Sequence, residues 1–387
     1  MTKNKSKSLV SIILFILCIS IFLTYIKANF MCYANEPNIM AGAKSMVVLE
    51  GNTNKLLYSY NKDEKLPMAS LTKIITCIVA IENSDNLDEN VKIADESVGI
   101  EGTSIYLTKG EEMPLRELLL GLMLASGNDS AMAIAYHIGG GEENFVKMMN
   151  EFVHKIGATN TSLTNPHGLD AENHYTTAND LAIITSYALK NEEFLKIVST
   201  KNATISGNSQ VEARYLKHKN RLLFSDENCI GVKTGFTDNA GRCLVHATRQ
   251  EDGMEIITVL LNCPSMFEEA DRLNKLAVQN YEYVELIKPY NFVGSVNINN
   301  GSSNITNVAT IKGFSTVIKK DEIDKYKIEY NIPEKLDAPI QNGDIIGNVV
   351  VMYEGETIFE ENLVSIDNVD NVDIKFMLDN ILNKWYA

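Results

Sequence analysis

The alternation of hydrophobic and polar residues divides most of the chain into a region of mixed strands and helices, from about residue 40 to 288, and a later region of strands alone. Short β-rich runs bounded by turn residues predict five strands in the first region. The last two are joined by a hairpin turn, which indicates antiparallel pairing. These strands are Ser45–Glu50, Lys55–Tyr60, Cys229–Gly235, Arg242–Thr248 and Glu255–Leu261.

Longer apolar segments in the same region predict helices. The segment that begins at Ser70 is apolar on all sides, which is typical of a buried helix, and Asp129 with Ser130 is predicted to cap another. Together with the strands, these helices predict an α/β (α+β) domain in which helices pack on an antiparallel sheet. The predicted helices are Ser70–Ile81, Pro114–Ala125, Asp129–Ile138, Asn179–Leu189 and Phe267–Ile287.

The hydrophobic pattern changes after Pro289. Residues 291–366 contain alternating strands, the turns Asn300–Gly301 and Asn342–Gly343, and almost no helical periodicity. This pattern predicts a small all-β domain. Two roles remain open for that domain: a spacer that holds the first domain above a membrane, or a module that binds a partner.

Residues 1–34 differ from the rest of the chain. Lys3, Lys5 and Lys7 precede an uncharged run from Leu9 to Tyr25, and small residues follow before residue 35. This is the layout of a secretory signal peptide. The alternative is an uncleaved N-terminal anchor, because the apolar run is long for a signal. Both alternatives predict export to the outer face of the cytoplasmic membrane or to the cell wall.

Residues 368–387 are predicted to form an amphipathic helix that ends in Trp385 and Tyr386. Such a helix suits a membrane interface, where aromatic rings lie between water and acyl chains. The alternative is a helix that packs against its own protein. The apolar face of the predicted helix carries Ile374, Met377, Ile381, Leu382 and Trp385.

Charge and histidine content exclude several classes of function. The chain of 387 residues has 35 Lys and Arg against 50 Asp and Glu, a net charge of -15, which disfavours nucleic acid as a partner. Its six histidines form no HExxH motif or other recognisable ligand spacing, and there is no Cys-x-x-Cys. We therefore expect no metal and no cofactor.

Four cysteines lie beyond the N-terminal segment. One is in an apolar helical run and three are in strand-like segments, which predicts buried free thiols that pack as small apolar residues. The alternative is disulfide pairing in an oxidising compartment. These cysteines are Cys77, Cys229, Cys243 and Cys263.

Two Ser-x-x-Lys tetrapeptides are candidates for nucleophilic chemistry. Ser59–Lys62 lies in a charged loop, whereas Ser70–Lys73 opens the apolar helix. Residues three apart share a helix face, so the Lys73 amine is predicted to lie beside the Ser70 hydroxyl. Burial disfavours the charged form of lysine and lowers its pKa, as a lysine base near neutral pH requires. Chance alone also produces such a spacing.

Two further polar motifs complete the candidate site. Ser126–Asn128 separates two very apolar helices, so it either points into a cleft or forms a capped helix junction. Lys233–Gly235 ends a strand, and Gly235 leaves room for a ligand backbone along the strand edge. A second Ser-Gly-Asn triplet, Ser206–Asn208, has no helix on either side and is interpreted as an exposed turn.

In this order, the three motifs resemble those of penicillin-binding proteins and serine β-lactamases. The wider sequence resembles the low-molecular-mass D-alanyl-D-alanine carboxypeptidases (the peptidase S11 family), including the sporulation-associated type. The resemblance covers nearly everything after residue 40 and implies a penicillin-binding fold with a further all-β domain. The segments that carry it are Pro67–Lys73, Asn165–Leu169, His174–Ala178 and Leu336–Ile340.

The resemblance implies a serine-type carboxypeptidase that acts on peptidoglycan stem peptides ending in D-Ala-D-Ala. Ser70 would attack the carbonyl between the two D-alanines, and Lys73 would take its proton. Ser126 would relay a proton to the leaving amine. Asn128 would bind the backbone of the substrate peptide.

The resemblance also implies how the carboxylate and the oxyanion are held. Lys233 and Thr234 would hold the terminal carboxylate beside Gly235. The oxyanion would lie between the backbone N–H groups of Ser70 and Phe236. β-Lactam antibiotics would be covalent inhibitors of the same site.

The sequence departs from the family pattern in two places. Phe236 stands where some relatives carry a polar ring. Some relatives also have an arginine before the last helix that grips the carboxylate, but Pro264–Phe267 has none, and Arg272 is a turn out of register. Carboxylate binding is therefore expected to depend more on Lys233.

Three other functions remain open at this point. A D,D-endopeptidase would use the same machinery. A β-lactamase would share the fold, although Ser126–Asn128 reads Ser-Gly-Asn where that class has Ser-Asp-Asn, and the added β domain argues against it. The third alternative is a wall-binding or scaffolding protein with an inactive site.

Overall fold

The computed structural model describes residues 42–208 and 212–372. The predicted signal or anchor at residues 1–34, and residues 373–387 of the predicted terminal helix, lie outside the described residues. The prediction that this helix begins at residue 368 is wrong, because Val369 and Asn371 form β-bridges with Ile340 and Gly301, and Val369 is buried in an apolar core. Two compact units are present: one contains the described residues up to Arg249 with Glu255–Lys275, and the other contains Gln250–Met254 and the described residues from Leu276 onward. Within the described ranges, no helix is both long enough and apolar enough to span a membrane.

The first unit is built on a five-stranded antiparallel sheet with two short hairpins beside it. The strands described for it are β1 (Ser45–Glu50), β2 (Leu56–Tyr60), β3 (Asn90–Lys92), β4 (Glu112–Pro114), β5 (Asn202–Ser206), β6 (Ala213–Lys217), β7 (Cys229–Thr237), β8 (Gly241–Arg249) and β9 (Glu255–Leu261). The order in the main sheet is β2-β1-β9-β8-β7. Every residue of β1 and β9 is buried, so the middle of the sheet is covered on both faces.

The helices of this unit surround a helix that is buried on all sides. The α-helices are α1 (Thr72–Glu82), α2 (Leu115–Leu120), α3 (Asn128–Gly139), α4 (Glu142–Lys155), α5 (Ala178–Leu189), α6 (Glu192–Ser199), α7 (Leu222–Ser225) and α8 (Met266–Asn280), of which the last five residues are assigned to the second unit. All residues of α1 from Thr72 to Ile81 are buried, as its uninterrupted apolar pattern predicts. This confirms the predicted fold of helices on an antiparallel sheet.

Several element boundaries differ from the prediction. Ser70 precedes α1, in a 3-10 turn at Ala69–Leu71, and α2 continues as a π-helical turn over Gly121–Ala125. The prediction of one helix over Phe267–Ile287 is wrong, because α8 ends at Asn280 and the remainder is a strand. The segment that follows α8 is rich in Tyr, Val and Ile, which favour a strand, and its pairing with a distant strand stabilises that conformation over a helix. The amphipathic helices α4 and α6 were not predicted.

The second unit is built mainly of strands, as predicted. They are β10 (Tyr281–Ile287), β11 (Phe292–Asn299), β12 (Ile305–Thr310), β13 (Phe314–Lys319), β14 (Tyr326–Asn331), β15 (Lys335–Asp337), β16 (Ile345–Tyr353) and β17 (Glu356–Ser365). β10 pairs with β13, and the others form a six-stranded sheet in the order β14-β16-β17-β12-β11-β15. The unit has an apolar core of its own, which includes Val308, Val349, Val351 and Leu363.

The cysteine prediction is confirmed. All four cysteines in the described ranges are buried and free: Cys77, Cys229, Cys243 and Cys263. Burial raises the pKa of the Cys243 thiol to about 11 and that of the Cys229 thiol to about 12. These thiols therefore stay protonated near neutral pH and act as small apolar side chains.

Candidate active site

The Ser70 hydroxyl and the Lys73 amine lie next to each other, as the Ser-x-x-Lys spacing predicts. Lys73 occupies the first turn of α1, and its Nζ atom is 2.9 Å from Ser70 Oγ. The Lys73 side chain is completely buried. The start of the most buried helix therefore holds a serine and a lysine within hydrogen-bond distance.

Two acceptors fix the direction of the Lys73 amine. Nζ donates to Asn128 Oδ1 at 2.7 Å and to the backbone carbonyl of His167 at 2.6 Å. Both partners accept hydrogen bonds and cannot donate at these atoms. A neutral amine has two N–H bonds, and both are used here. Its lone pair is then left to face the Ser70 hydroxyl, which is the geometry that a general base needs.

The environment of Lys73 favours this neutral form. Burial is the main cause, and the positive charge of Lys219 adds to it, so that the pKa of Lys73 falls to about 7. The negative charge of Asp129 opposes the shift but does not cancel it. Near neutral pH, a large fraction of Lys73 is therefore deprotonated without any ion pair to restore its charge.

A second buried lysine approaches from the sheet. Lys233 lies on β7, and its Nζ atom donates to Ser126 Oγ at 2.9 Å and to the backbone carbonyl of Thr234 at 2.9 Å. Burial, and then the charges of Lys73 and Lys219, lower the pKa of Lys233. The three sequence motifs thus meet in one place, as predicted.

The Ser126–Asn128 segment points into the site rather than only joining two helices. Ser126 has a left-handed backbone (φ 66°) between the π-helical turn and α3, and this bend directs its hydroxyl to Lys233. Asn128 is the first residue of α3, and its side chain accepts the hydrogen bond from Lys73. Its Nδ2 atom donates to the backbone carbonyl of Glu101 at 2.5 Å and keeps a second hydrogen.

The prediction that Asp129 caps a helix is wrong. Gly127 occupies the N-cap position of α3, where no side chain caps the helix. The buried Asp129 carboxylate instead accepts hydrogen bonds from Ser104 Oγ (2.5 Å) and from the backbone N–H groups of Ile105 and Leu107 (3.1 and 3.0 Å). It anchors the loop over residues 101–107 as a wall beside Asn128.

β7 runs very close to the turn that carries Ser70. A Cβ atom on Gly235 would lie 3.0 Å from the carbonyl oxygen of Met68 and 3.2 Å from the backbone nitrogen of Ser70. Only glycine allows this approach without a backbone shift. Phe236 follows on the same strand with its ring largely exposed, and Thr234 is partly buried. Backbone groups of β7 therefore line the site directly beside the candidate nucleophile.

The structure gives a role to His167 that was not predicted from the sequence. The Asn165 side chain closes the loop by accepting from the N–H of Gly168 (2.7 Å) and donating to the carbonyl of Leu169 (3.0 Å), which turns the His167 carbonyl to Lys73. Gly168 has φ 87°, and a Cβ atom there would lie 2.0 Å from the Ala69 carbonyl oxygen. From the sequence alone, the Asn-Pro-His-Gly-Leu segment carries only a resemblance to the family and no role for His167.

Lys219 is a further site residue that sequence reasoning missed. Lys219 is exposed, and its Nζ atom is 3.4 Å from Thr103 Oγ1. The backbone carbonyl of Thr103 in turn accepts a hydrogen bond from the N–H of Asn128, which links Lys219 to the site. Its charge lowers the pKa of both Lys73 and Lys233. No carboxylate within the described ranges pairs with it. No motif surrounds Lys219, so no local signal identifies it.

Arg272 does not take the place of the missing arginine. It lies on α8 and pairs with Glu269 one turn away, with Nη2 at 2.7 Å from Oε1. In the described ranges, no group of three or more His, Cys, Asp or Glu side chains is arranged to hold a metal ion.

Two family models match the chain. The D-alanyl-D-alanine carboxypeptidase model matches residues 32–265, which is more than half of the sequence and includes all three motifs. The chain belongs to the D-alanyl-D-alanine carboxypeptidase family. A second model, for the C-terminal domain of penicillin-binding protein 5, matches residues 281–371 and thus the unit of strands.

Individual members of the family are similar over nearly the whole length. The chain is 32% identical to D-alanyl-D-alanine carboxypeptidase DacF of Bacillus subtilis (strain 168) over 351 residues, which are 89% of this chain and 90% of that protein. A crystal structure of penicillin-binding protein 5 from Haemophilus influenzae matches with a TM-score of 0.70 and 28% identity, covering 87% of this chain and 100% of that one.

A shorter relative covers only part of the chain. D-alanyl-D-alanine endopeptidase of Escherichia coli (strain K12) is 30% identical over 217 residues, 56% of this chain and 69% of that protein. The two matches that extend through the second unit agree with the carboxypeptidase resemblance inferred from the sequence, and that inference is confirmed. Neither the β-lactamase nor the endopeptidase alternative is favoured.

Proposed function

We propose that this protein is a serine-type D-alanyl-D-alanine carboxypeptidase that forms an acyl-enzyme on Ser70 and shortens peptidoglycan stem pentapeptides. One observation carries the assignment of roles. The buried Lys73 amine has its two donors occupied by Asn128 and His167, which leaves a lone pair for the Ser70 hydroxyl.

Acylation begins when Ser70 Oγ attacks the carbonyl carbon between the two terminal D-alanines. The Ser70 proton passes to the neutral amine of Lys73, and the carbonyl oxygen becomes an oxyanion. The backbone N–H groups of Ser70 and Phe236 stabilise this oxyanion. A donor of this kind lowers the barrier by about 3–4 kcal/mol.

The tetrahedral intermediate collapses when the C–N bond breaks. The leaving amine takes its proton from the Ser126 hydroxyl, which Lys233 contacts at 2.9 Å. The proton that Lys73 took from Ser70 replaces the proton that Ser126 lost, so that Lys73 is neutral again. D-Alanine is released, and the acyl group remains on Ser70. Water then attacks this ester and gives a proton to the neutral Lys73 amine, which passes it to Ser70 Oγ as the ester bond breaks, and the shortened peptide leaves.

The substrate carboxylate is bound by more than the Lys-Thr-Gly strand. Lys233 is completely buried, and two of its donors are already used on Ser126 and Thr234. Lys219 is exposed beside the same cleft, with its amine 3.4 Å from Thr103 Oγ1, and no carboxylate within the described ranges pairs with it. We assign to Lys219 the part that an arginine plays in some relatives. A bound carboxylate would favour the charged forms of both amines.

Localisation and membrane contact belong to the same proposal. A substrate in the cell wall requires export, which the N-terminal signal or anchor at residues 1–34 would provide. The amphipathic segment at residues 373–387 would keep the enzyme at the membrane surface. β-Lactams, which present a reactive carbonyl and a carboxylate, would acylate Ser70 and remain bound.

The test is release of D-alanine from a defined pentapeptide ending in D-Ala-D-Ala. Wild-type protein should release it, and Ser70→Ala should release none. A folded wild-type protein that neither releases D-alanine nor is labelled by fluorescent penicillin would overturn the proposal. Cleavage of a cross-linked dimer peptide into its two monomers, without release of D-alanine from the pentapeptide, would instead establish the endopeptidase.

The role of Lys219 has its own variants. Lys219→Met should raise KM for the pentapeptide by about tenfold or more, because a charge-assisted hydrogen bond to the carboxylate is lost. Lys219→Arg should restore most of the affinity. Lys217→Met, two residues away and exposed on β6, is the matched control and should leave KM unchanged.

A further inference from the structure

The peptide group between Ala69 and Ser70 is held in an unusual orientation. Ala69 has φ 49°, in the left-handed region that residues other than glycine rarely occupy, so surrounding contacts must hold it there. A peptide group is planar, with its C=O and N–H pointing in opposite directions. Whatever fixes the Ala69 carbonyl therefore also fixes the direction of the Ser70 N–H.

A buried threonine binds this carbonyl. Thr72 Oγ1 donates to the Ala69 carbonyl oxygen at 2.9 Å and lies 2.8 Å from His174 Nε2. The N–H of Thr164 donates to His174 Nδ1 at 3.1 Å, so the neutral ring carries its proton on Nε2. The ring then donates to Thr72 Oγ1, whose own hydrogen is left for Ala69. Three hydrogen bonds run in one direction from Thr164 to the peptide next to the nucleophile.

The charge state of His174 keeps this direction unambiguous. Burial lowers the pKa of His174 to about 4, although the charge of Asp170 opposes the shift. The ring is therefore neutral at the pH where a peptidoglycan enzyme works. Both His174 and Thr72 are buried, and hydrogen bonds in such a chain strengthen one another.

We propose that His174 and Thr72 are positioning residues that orient the Ser70 N–H toward the oxyanion. The proposal rests on the proposed role of Ser70. Gly168 also packs against the Ala69 carbonyl, although it is not one of these hydrogen-bonded residues. A Cβ atom on Gly168 would lie 2.0 Å from the Ala69 carbonyl oxygen. The space that Gly168 leaves is what allows the carbonyl to face Thr72.

Thr72→Val tests this with little change of shape, because valine replaces the hydroxyl with a methyl group. The rate constant for acylation by fluorescent penicillin should fall by about 10- to 100-fold, since a misaligned oxyanion donor is less effective. The affinity of the preceding non-covalent complex should stay within about twofold, as expected when only transition-state stabilisation is lost. Thr72→Ser keeps the hydroxyl and should restore most of the rate.

His174→Gln provides an independent second variant. It should lower the same rate constant, and the double variant should lose no more than the more impaired single variant, because both act through one chain of hydrogen bonds. Rates are referred to the folded fraction, measured by circular dichroism. Thr185→Val is the matched control: Thr185 is a buried threonine of α5 whose hydroxyl donates to the Leu181 carbonyl at 2.7 Å.

Each outcome decides the question. Wild-type-like acylation by folded Thr72→Val, or an equal loss in Thr185→Val, overturns the proposal. If the losses of acylation rate in the two single variants add up in the double variant, His174 and Thr72 do not act through one series of hydrogen bonds. If penicillin fails to acylate the wild-type protein, the proposed function itself falls. Wild-type labelling with unimpaired Thr72→Val rejects only the positioning role.

Discussion

Lys73 is reactive because burial, not an ion pair, sets its charge. A lysine held by a carboxylate keeps its proton, whereas Lys73 contacts the oxygen atoms of an amide and a peptide and the hydroxyl of Ser70. Asp129 lies near enough to raise the pKa of Lys73, but its carboxylate accepts hydrogen bonds from a loop and makes no ion pair with Lys73. The site therefore obtains a base near neutral pH from an amino acid that is ordinarily charged.

Acylation by penicillin should increase with pH through a midpoint of about 7, the pKa of Lys73. Below the midpoint the amine is protonated and has no lone pair to accept the Ser70 proton. Lys219→Met should move the midpoint upward, because the charge of Lys219 lowers the pKa of Lys73. The second-order acylation rate constant, measured from pH 5 to pH 9, checks both. A flat profile would contradict the assignment of the base.

Gly235→Ala should slow acylation at least about tenfold with a modest effect on thermal stability. The added Cβ atom meets the Met68 carbonyl and the Ser70 nitrogen at 3.0 and 3.2 Å, and both are backbone atoms. The strand or the turn must shift, and small displacements of reacting groups are costly. Gly294→Ala on β11 is the control, since it meets nothing within 4 Å. Equal acylation by both variants would contradict the prediction.

The local hydrophobic pattern predicted the buried strands correctly but did not predict element boundaries that depend on residues far away in the sequence. The strands at Ser45–Glu50 and Glu255–Leu261 were predicted to the residue, because their apolar runs end at turn residues. The end of α8 was not predicted, because the residues that follow it form β10, and this strand is stabilised by pairing with Phe314–Lys319 further along the chain. The π-helical turn before Ser126 was also missed, because hydrophobic periodicity does not report a local change of helix type.

The loop over residues 101–107 should depend on Asp129. Asp129→Ala leaves the buried N–H groups of Ile105 and Leu107 without their acceptor, at a cost of about 1–3 kcal/mol for each group. The thermal midpoint of unfolding should fall by several degrees. The acylation midpoint should also move to lower pH, since the charge of Asp129 raises the pKa of Lys73.

The matched control for this prediction is Asp95→Ala. Asp95 is an exposed carboxylate that pairs with Lys109 at 3.1 Å, and surface pairs of this kind contribute little to stability. Differential scanning calorimetry compares the two variants. If both lower the midpoint of unfolding equally, the loop does not depend on the carboxylate of Asp129.

In the molecule as a whole, the chemistry belongs to one unit. Every residue assigned a catalytic or substrate-binding role lies in the first unit, whose apolar core is separate from that of the strand unit. A chain that ends after Asn280 should therefore be acylated by penicillin at the wild-type rate. Gel fluorescence measures the labelling, and the same truncation with Ser70→Ala is the control. Loss of labelling in a folded truncation would show that the second unit takes part in catalysis.

The site was predictable where one stretch of sequence carries both members of a pair. Ser70 and Lys73 are three residues apart, so helix geometry alone places them together. The bond from Lys73 to the His167 carbonyl joins residues 94 apart, and that from Thr72 to His174 joins residues 102 apart. Such contacts follow from the tertiary fold, which explains why Lys219, His167 and His174 had no predicted role.

The crowding of the Ala69–Ser70 peptide by Gly168 and Gly235 also bears on drug resistance. A mutant that escapes a covalent antibiotic must still recognise the natural peptide, yet any side chain added at either glycine collides with the backbone beside the nucleophile. A substitution at either glycine that prevented acylation by the antibiotic would also prevent acylation by the natural peptide. Phe236, by contrast, exposes 62% of its surface, so a side chain of another size fits there without displacing the backbone. Inhibitors that bind close to the two glycines would leave the target fewer viable substitutions than inhibitors that rely on Phe236.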